Sequence, residues 1–251
     1  MAKETKLGKE IQQLNLLSPK HCLFAVFLLY ESKVNNKSKW TEYIKMLPSD
    51  YSNFPIFFKD KELQLLAGSP VLLQIKEKLS DLKSDYNEIV NYTNCPKIIK
   101  NFTFEDFCKM RMAVSSRVFG IKTYGRKTDC LCPLADMINH KRPRQTQWYF
   151  SDNLDSFVMQ AIEDIDEGCE IFDSYGKKCN SRFFLNYGFI IHNNESNEFP
   201  FTLEDIDKKI KGYIFNENNI NTMSKNPDSD EVVKEDYKKH DCENDKVFRY
   251  R

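Results

Sequence analysis

Three short stretches hold the side chains that could do chemistry in this sequence. Leu131-Cys-Pro-Leu-Ala-Asp-Met-Ile-Asn-His140 is an apolar run that closes on an amide and an imidazole. About 35 residues on, Glu170-Ile-Phe-Asp-Ser-Tyr-Gly176 closes a second apolar run on a phenol, and Asn186-Tyr-Gly-Phe189 ends a short helix-like segment. A phenol oxygen and backbone carbonyls can orient an amine, and aromatic rings can strip its water. A fixed guanidinium such as Arg117, within Val114-Ser-Ser-Arg-Val-Phe-Gly120, suits a carboxylate better than an ammonium does. Taken singly, each group also has a structural reading. His140 reads as a core histidine fixing a turn, and Tyr175 as a half-buried strand-end tyrosine bonded to a carbonyl. Tyr187 and Phe189 read as core, and Arg117 as one half of a helix-face salt bridge.

The elements that must position these groups change character along the chain. Ser18-Pro19 is a helix start, and His21 to Tyr30 is apolar on nearly every side, which predicts a buried helix. A shorter helix is predicted from Ser38 to Leu47, stopped by Pro48, then an ordered loop to Phe58 packed by its own rings. Lys61 to Ala67 reads as helical with Gly68 as its C-cap. From Ser69-Pro70 to about Tyr92, the positions Val71, Leu72, Ile75, Leu79, Leu82, Tyr86, Ile89 and Val90 make one amphipathic face. Thr103 and Asp106 can cap a helix over roughly 104–119. Short strands separated by turn residues are expected at 130–134, 147–150, 156–161 and 170–172. Lys178 to Tyr187 returns to helical spacing, with Asn180 as its cap. One more helix is expected over 201–215, and a polar tail from Asn216. Helices first and short strands after predict an α+β protein.

Composition removes several classes of function. With 37 basic and 37 acidic residues among 251, no global field favours nucleic acid or an anionic membrane. No apolar run reaches about 18 residues, and no signal-peptide pattern follows the polar first ten, so neither a membrane span nor secretion is expected. The eight cysteines (22, 95, 108, 130, 132, 169, 179 and 242) are scattered like free thiols, which points to the cytoplasm or the nucleus. Cys130-x-Cys132 has no second Cys or His pair at zinc spacing, so no metal site is expected.

The ordered set of Asn139-His140, Tyr175-Gly176 and Tyr187-Gly188-Phe189 resembles the C-terminal half of a SET domain, within the class typified by the Rubisco large-subunit methyltransferase. In that class a largely helical insertion interrupts the SET domain. Leu17 to Tyr30, Leu47-Pro-Ser-Asp50 and Glu62-Leu-Gln-Leu-Leu-Ala-Gly68 look like that insertion, so the resemblance covers about residues 15–215. It implies three parts: 1–120 as the helical insertion, 121–195 as the C-terminal half of the SET domain, and 196–251 as the truncated start of a helical substrate-binding domain. It implies S-adenosylmethionine as cofactor and transfer of its methyl group to a protein lysine, or less readily a histidine, with no direct role for nucleic acid or membrane. By the same resemblance Tyr175 is the catalytic residue. Arg117, Asp136, Met137, Ile138, Asn139 and His140 would hold the cofactor, and Tyr187, Gly188 and Phe189 would close its adenine side and line the lysine channel.

The sequence departs from the family at one motif. A SET domain carries a Gly-x-Gly strand-turn that cradles the methionine end of the cofactor, where only glycine lets the backbone approach. The closest pair among the eight glycines here is Gly120 and Gly125. The first SET strands are therefore expected to be missing from this chain, and the isolated chain to methylate slowly if at all. The alternative is a catalytically dead, SET-derived module that binds a protein partner.

Overall fold

The computed structural model describes residues 4–33, 38–92, 96–201 and 248–250. Two compact units divide the chain, Met1–Asn194 and Glu195–Arg251. The first unit opens with helices α1 (Lys6–Ile11), α2 (Pro19–Lys33), α3 (Thr41–Met46), α4 (Asp60–Gln64), α5 (Pro70–Asn91), α6 (Lys97–Lys100) and α7 (Phe104–Arg117). Helix α2 is the buried one, with Cys22, Ala25, Val26 and Leu28 at or near zero exposure, and it packs along α7. Its all-round apolar sequence has that cause. The loop after α3 folds onto its own rings, Tyr51 against Phe54 at 5.8 Å, before a 3-10 turn at Pro55–Phe57. Thr103 and Asp106 form the reciprocal capping box that starts α7.

Helix α5 buries Ile75, Leu82 and Ile89 at seven-residue steps, and one carboxylate, Asp85, on the same stripe. Asp85 accepts from the backbone N–H of Leu17 at 2.6 Å and of Ser18 at 3.3 Å, so it supplies negative charge at the start of α2. The Cys22 thiol donates to it at 3.2 Å, and the buried Arg111 guanidinium lies 3.5 Å away.

Helix α7 ends at Arg117, and a strand takes the place of its expected last turn. Strands β1 (Phe119–Thr123) and β2 (Arg126–Cys130) form an antiparallel hairpin, closed by Tyr124 and Gly125 at φ 46° and 79°. Positive φ at both central residues matches the twist of the strands. The strand expected over 130–134 is not there. Chain pairing stops at Cys130, and the backbone turns through Leu134 at φ 74° into a 3-10 turn, Ala135–Met137. Strand β3 (Asn139–His140) pairs in parallel with β6 (Phe172–Asp173), Asn139 opposite Phe172 and His140 opposite Asp173. Between them β4 (Thr146–Ser151) and β5 (Ser156–Ala161) make a second antiparallel hairpin. Helix α8 (Asn180–Tyr187) ends in Gly188 at φ 75°, the left-handed C-cap that glycine supplies without penalty. A Cβ at Gly188 would also stand 2.5 Å from the Asn53 amide nitrogen, so the close approach of the 51–54 loop requires glycine a second time. Asn180 does not cap α8, whose N-cap is Cys179. Its amide instead brackets Ile191, accepting from the N–H at 3.0 Å and donating to the carbonyl at 2.9 Å.

The Lys78 ammonium ties α5 to the end of α8, donating to the Leu185 carbonyl at 2.7 Å and to Asn186 Oδ1 at 2.8 Å. Enclosure pushes its pKa down to about 7, from an ordinary 10.5, and the Arg111 charge adds to the shift. Between those two pH values the unfolded chain holds a proton that the fold has released, so folding stability is expected to rise with pH across that window. Lys78→Met should remove this part of the slope. Urea unfolding at about pH 7 and about pH 9 compares the two proteins. Equal slopes would show that the two carbonyl acceptors keep Lys78 charged in the fold.

Among the described residues of the second unit, β7 (Phe199–Phe201) pairs antiparallel with β8 (Phe248–Tyr250). The helix expected over 201–215 and the polar tail lie outside the described residues, apart from 201 and 248–250. No described helix is long and apolar enough to cross a membrane.

Candidate functional site

The two-residue parallel pairing of β3 and β6 brings two sequence motifs to one point. His140 lies beside Asp173, two residues before Tyr175. The Tyr175 N–H donates to His140 Nδ1 at 2.9 Å, and the Tyr175 hydroxyl donates to the Ile138 carbonyl at 2.7 Å. Both side chains are thus fixed by backbone groups of the opposite motif. An Nδ1 that accepts carries no proton, so the neutral ring holds its proton on Nε2. That nitrogen is buried and has no hydrogen-bond partner. Burial lowers the His140 pKa, and the charges of Lys178 and Arg142 lower it further, which keeps the ring neutral. Burial raises the Tyr175 pKa, so its phenol keeps its proton.

Rings close one side of this pair. Tyr187 stacks on Tyr175 at 5.0 Å, Phe183 lies 5.0 Å from His140, and Phe189 stacks on Phe183 at 5.1 Å. Helix α8 supplies two of these rings four residues apart, on one face. Lys178 completes the group: its ammonium donates to the Tyr175 carbonyl and lies 5.8 Å from the centre of the Tyr187 ring. Burial lowers its pKa. Sequence reasoning missed both Phe183 and Lys178. The helical spacing of Phe183 with Tyr187 was a signal for the first, whereas nothing local marked Lys178 from Lys177.

A second cluster lies on the turn before His140. Asp136 is 7% exposed; the Tyr43 hydroxyl donates to its Oδ2 and Arg117 Nη1 lies 3.9 Å from its Oδ1. Arg117 Nη1 also donates to the Asp136 carbonyl at 2.8 Å and to the Met137 sulfur at 3.3 Å. Burial raises the Asp136 pKa against the opposing pull of the Tyr43 hydrogen bond and the guanidinium. Two polar atoms in this cluster, Arg117 Nε and Asp136 Oδ1, are buried without a hydrogen bond. Tyr43 was not foreseen, since its partner is 93 residues away.

The structure therefore brings together Tyr175, Ile138, His140, Tyr187 and Phe189, with Gly188 as the helix end between the last two. Arg117, Asp136 and Met137 form the adjoining cluster. Asn139 is separate: its side chain is exposed and donates to Glu170 Oε1 at 2.6 Å. On the Ile138 side an open apolar cleft of about 660 Å³ is lined by Leu131, Cys132, Leu134, Phe157 and Met159 among others.

Comparison with known proteins agrees with this architecture. The SET domain family matches residues 9–176. A ribosomal lysine N-methyltransferase of Schizosaccharomyces pombe is 30% identical over 198 residues, covering 74% of this chain and 36% of that protein. An actin-histidine N-methyltransferase of Danio rerio is 32% identical over 202 residues, covering 77% of this chain and 33% of that one. The chain thus spans about a third of the length of these curated relatives. Among solved structures, the SET domain of LSMT bound to lysine and AdoHcy superposes with a TM-score of 0.66 at 22% identity, covering 82% of this chain and 48% of that one. The likeness at that identity is one of fold.

Proposed function

This chain belongs to the SET-domain family, and we propose that it is part of a protein N-methyltransferase that uses S-adenosylmethionine and modifies a lysine side chain. The observation that carries the reading is the Tyr175 hydroxyl held 2.7 Å from the Ile138 carbonyl at the foot of the ring wall. With its hydrogen committed to Ile138, the phenol oxygen has lone pairs left to accept an N–H, and the carbonyl has one more. Two adjacent acceptors suit an amine with two N–H bonds better than a neutral imidazole with one. This supports lysine over histidine, although relatives with both names exist. The rings of Tyr187 and Phe189 would strip water from the amine and favour its neutral, nucleophilic form.

The residues present fit the cofactor. The buried His140 Nε2–H and Arg117 Nε–H lack acceptors, and a carboxylate or a ring nitrogen is the kind of group that satisfies them. Bound in this site, S-adenosylmethionine would supply an electrophilic methyl group on a sulfonium. Arg117, Asp136, Met137 and the Ile138–His140 backbone would hold it; Tyr175 would align the amine. A second reading is a partner-binding module without catalysis.

Calorimetry with S-adenosylhomocysteine, beside transfer of labelled methyl groups to a cell extract, tests the proposal. Tyr175→Phe keeps the stack on Tyr187 and should leave binding nearly unchanged while lowering transfer about 10²-fold. Absence of binding by folded wild-type protein would abandon methyl transfer for the module reading.

A further inference from the structure

One pair of side chains stands outside the roles described so far. Strand β2 ends at Cys130, held opposite Phe119 in the ladder, and the chain runs on through Leu131 to Cys132. Residues two apart on an extended chain share a face, and here the two sulfurs lie 3.3 Å from each other in a thiol hydrogen bond. Both cysteines are partly exposed, and Cys132 lines the open cleft. The other described thiols are unlike them: Cys22, Cys108 and Cys179 are buried, and Cys169 is exposed but alone among the described cysteines. Sharing one proton lowers the Cys130 pKa and raises that of Cys132, whereas burial pushes Cys108 up to about 12. A lowered, accessible thiol beside a second one is the arrangement of an attacking and a resolving cysteine.

We propose that Cys130 and Cys132 are a reversible dithiol–disulfide site, oxidised by a peroxide, that controls the turn carrying Asp136 to His140. The Cys130 thiolate attacks one peroxide oxygen; the O–O bond breaks, a sulfenic acid forms and hydroxide leaves as water. The Cys132 sulfur then bonds to the Cys130 sulfur as the S–O bond breaks, and the proton of the Cys132 thiol goes to the departing hydroxyl, which leaves as a second water. One peroxide and two thiols become one disulfide and two waters.

The coupling to the site is geometric. Forming the bond must bring the sulfurs from 3.3 Å to about 2 Å. Cys130 is fixed in the β1–β2 ladder, so the movement falls on Leu131 and Cys132. The Cys132 carbonyl accepts the Asp136 N–H at 3.0 Å, a turn that runs into the 3-10 turn opened by the Met137 N–H on the Leu134 carbonyl at 3.1 Å, and Leu134 itself already sits at φ 74°. Pulling Cys132 toward the strand therefore loosens the turn that leads through Ile138 into Asn139 and His140. A ring closed by so short a stretch of chain, open to solvent, is readily reduced again by small thiols. The site operates whether or not the chain transfers methyl groups.

The test uses the reduced chain and limiting hydrogen peroxide. Trypsin releases Thr128 to Lys141 as one peptide holding both cysteines, and this peptide is expected to lose two hydrogen masses and to regain them with dithiothreitol. Hydrogen exchange within 131–140 should rise severalfold on oxidation and fall back on reduction. In Cys132→Ser, Cys130 should stop at a sulfenic acid that dimedone traps, with exchange unchanged. If Cys130 and Cys132 still alkylate fully once the exposed Cys169 is modified, the proposal is overturned. It is overturned equally if the disulfide forms without altering exchange in 131–140, or if Cys132→Ser shows the same rise.

Discussion

Asp85→Ala is expected to remove about 3–5 kcal/mol of folding stability, the cost of leaving a buried charge without its partner. The change strands Arg111, itself 6% exposed, and frees the N–H groups of Leu17 and Ser18 at the start of the most buried helix. Against a total of about 5–15 kcal/mol this is a large fraction, and the midpoint of thermal unfolding should fall by about 10 °C. The double change with Arg111→Met should cost less than the two single changes summed, because the stranded charge goes with its partner. Thermal melts of the three variants measure it. A loss under about 1 kcal/mol would mean that the guanidinium reaches water in the variant and that the cluster is not a unit.

Phe183→Ala comes next, at about 3–5 kcal/mol from lost burial and the cavity left behind. Phe183 is 1% exposed, touches His140 at 5.0 Å and Tyr187 at 5.7 Å, and carries Phe189 stacked upon it. Its removal should therefore do two things that a remote core change would not. The near-ultraviolet circular dichroism of the ring cluster should collapse, and S-adenosylhomocysteine binding should weaken even below the temperature of unfolding. Phe183→Leu, which keeps most of the volume, should retain folding and much of the binding. Equal binding by all three proteins would show that the rings behind His140 are packing alone.

Local chemistry explains which parts of this fold were legible in sequence. Ser69-Pro70 and the Thr103–Asp106 box marked the starts of α5 and α7 because capping is decided within four residues. The β1–β2 hairpin was not legible. Its residues are Gly120, Lys122, Arg126, Lys127 and Asp129 among others, with no apolar run, and its anchor is Phe119 against Trp148 and Phe157, each at 5.1 Å. That contact comes from the next hairpin. Asp85 is not among the apolar positions that mark the face of α5, although it falls three residues after Leu82 and four before Ile89, on the buried stripe. A charge at that place in the period was the available sign, and its partners lie 26 to 68 residues away. At the site, the structure brings His140, Tyr175, Tyr187 and Phe189 of the three motifs to one place. The direction of Asn139, turned to Glu170, was beyond reach because a two-residue strand alternates its faces whatever the motif.

The chain's two tryptophans happen to be wired to the two halves of the site. Trp148 donates its indole N–H to Asp173 Oδ2 at 3.0 Å, two residues before Tyr175. Trp40 makes an edge contact at 6.2 Å with Tyr43, the residue that holds Asp136. Indole emission follows hydrogen bonding and the nearness of water, so each ring is an intrinsic optical gauge of one cluster. With Trp40→Phe or Trp148→Phe, a single emitter remains. Events at the phenol–imidazole pair and at the turn around Asp136 can then be timed separately, by colour and lifetime, in a protein that carries no added dye.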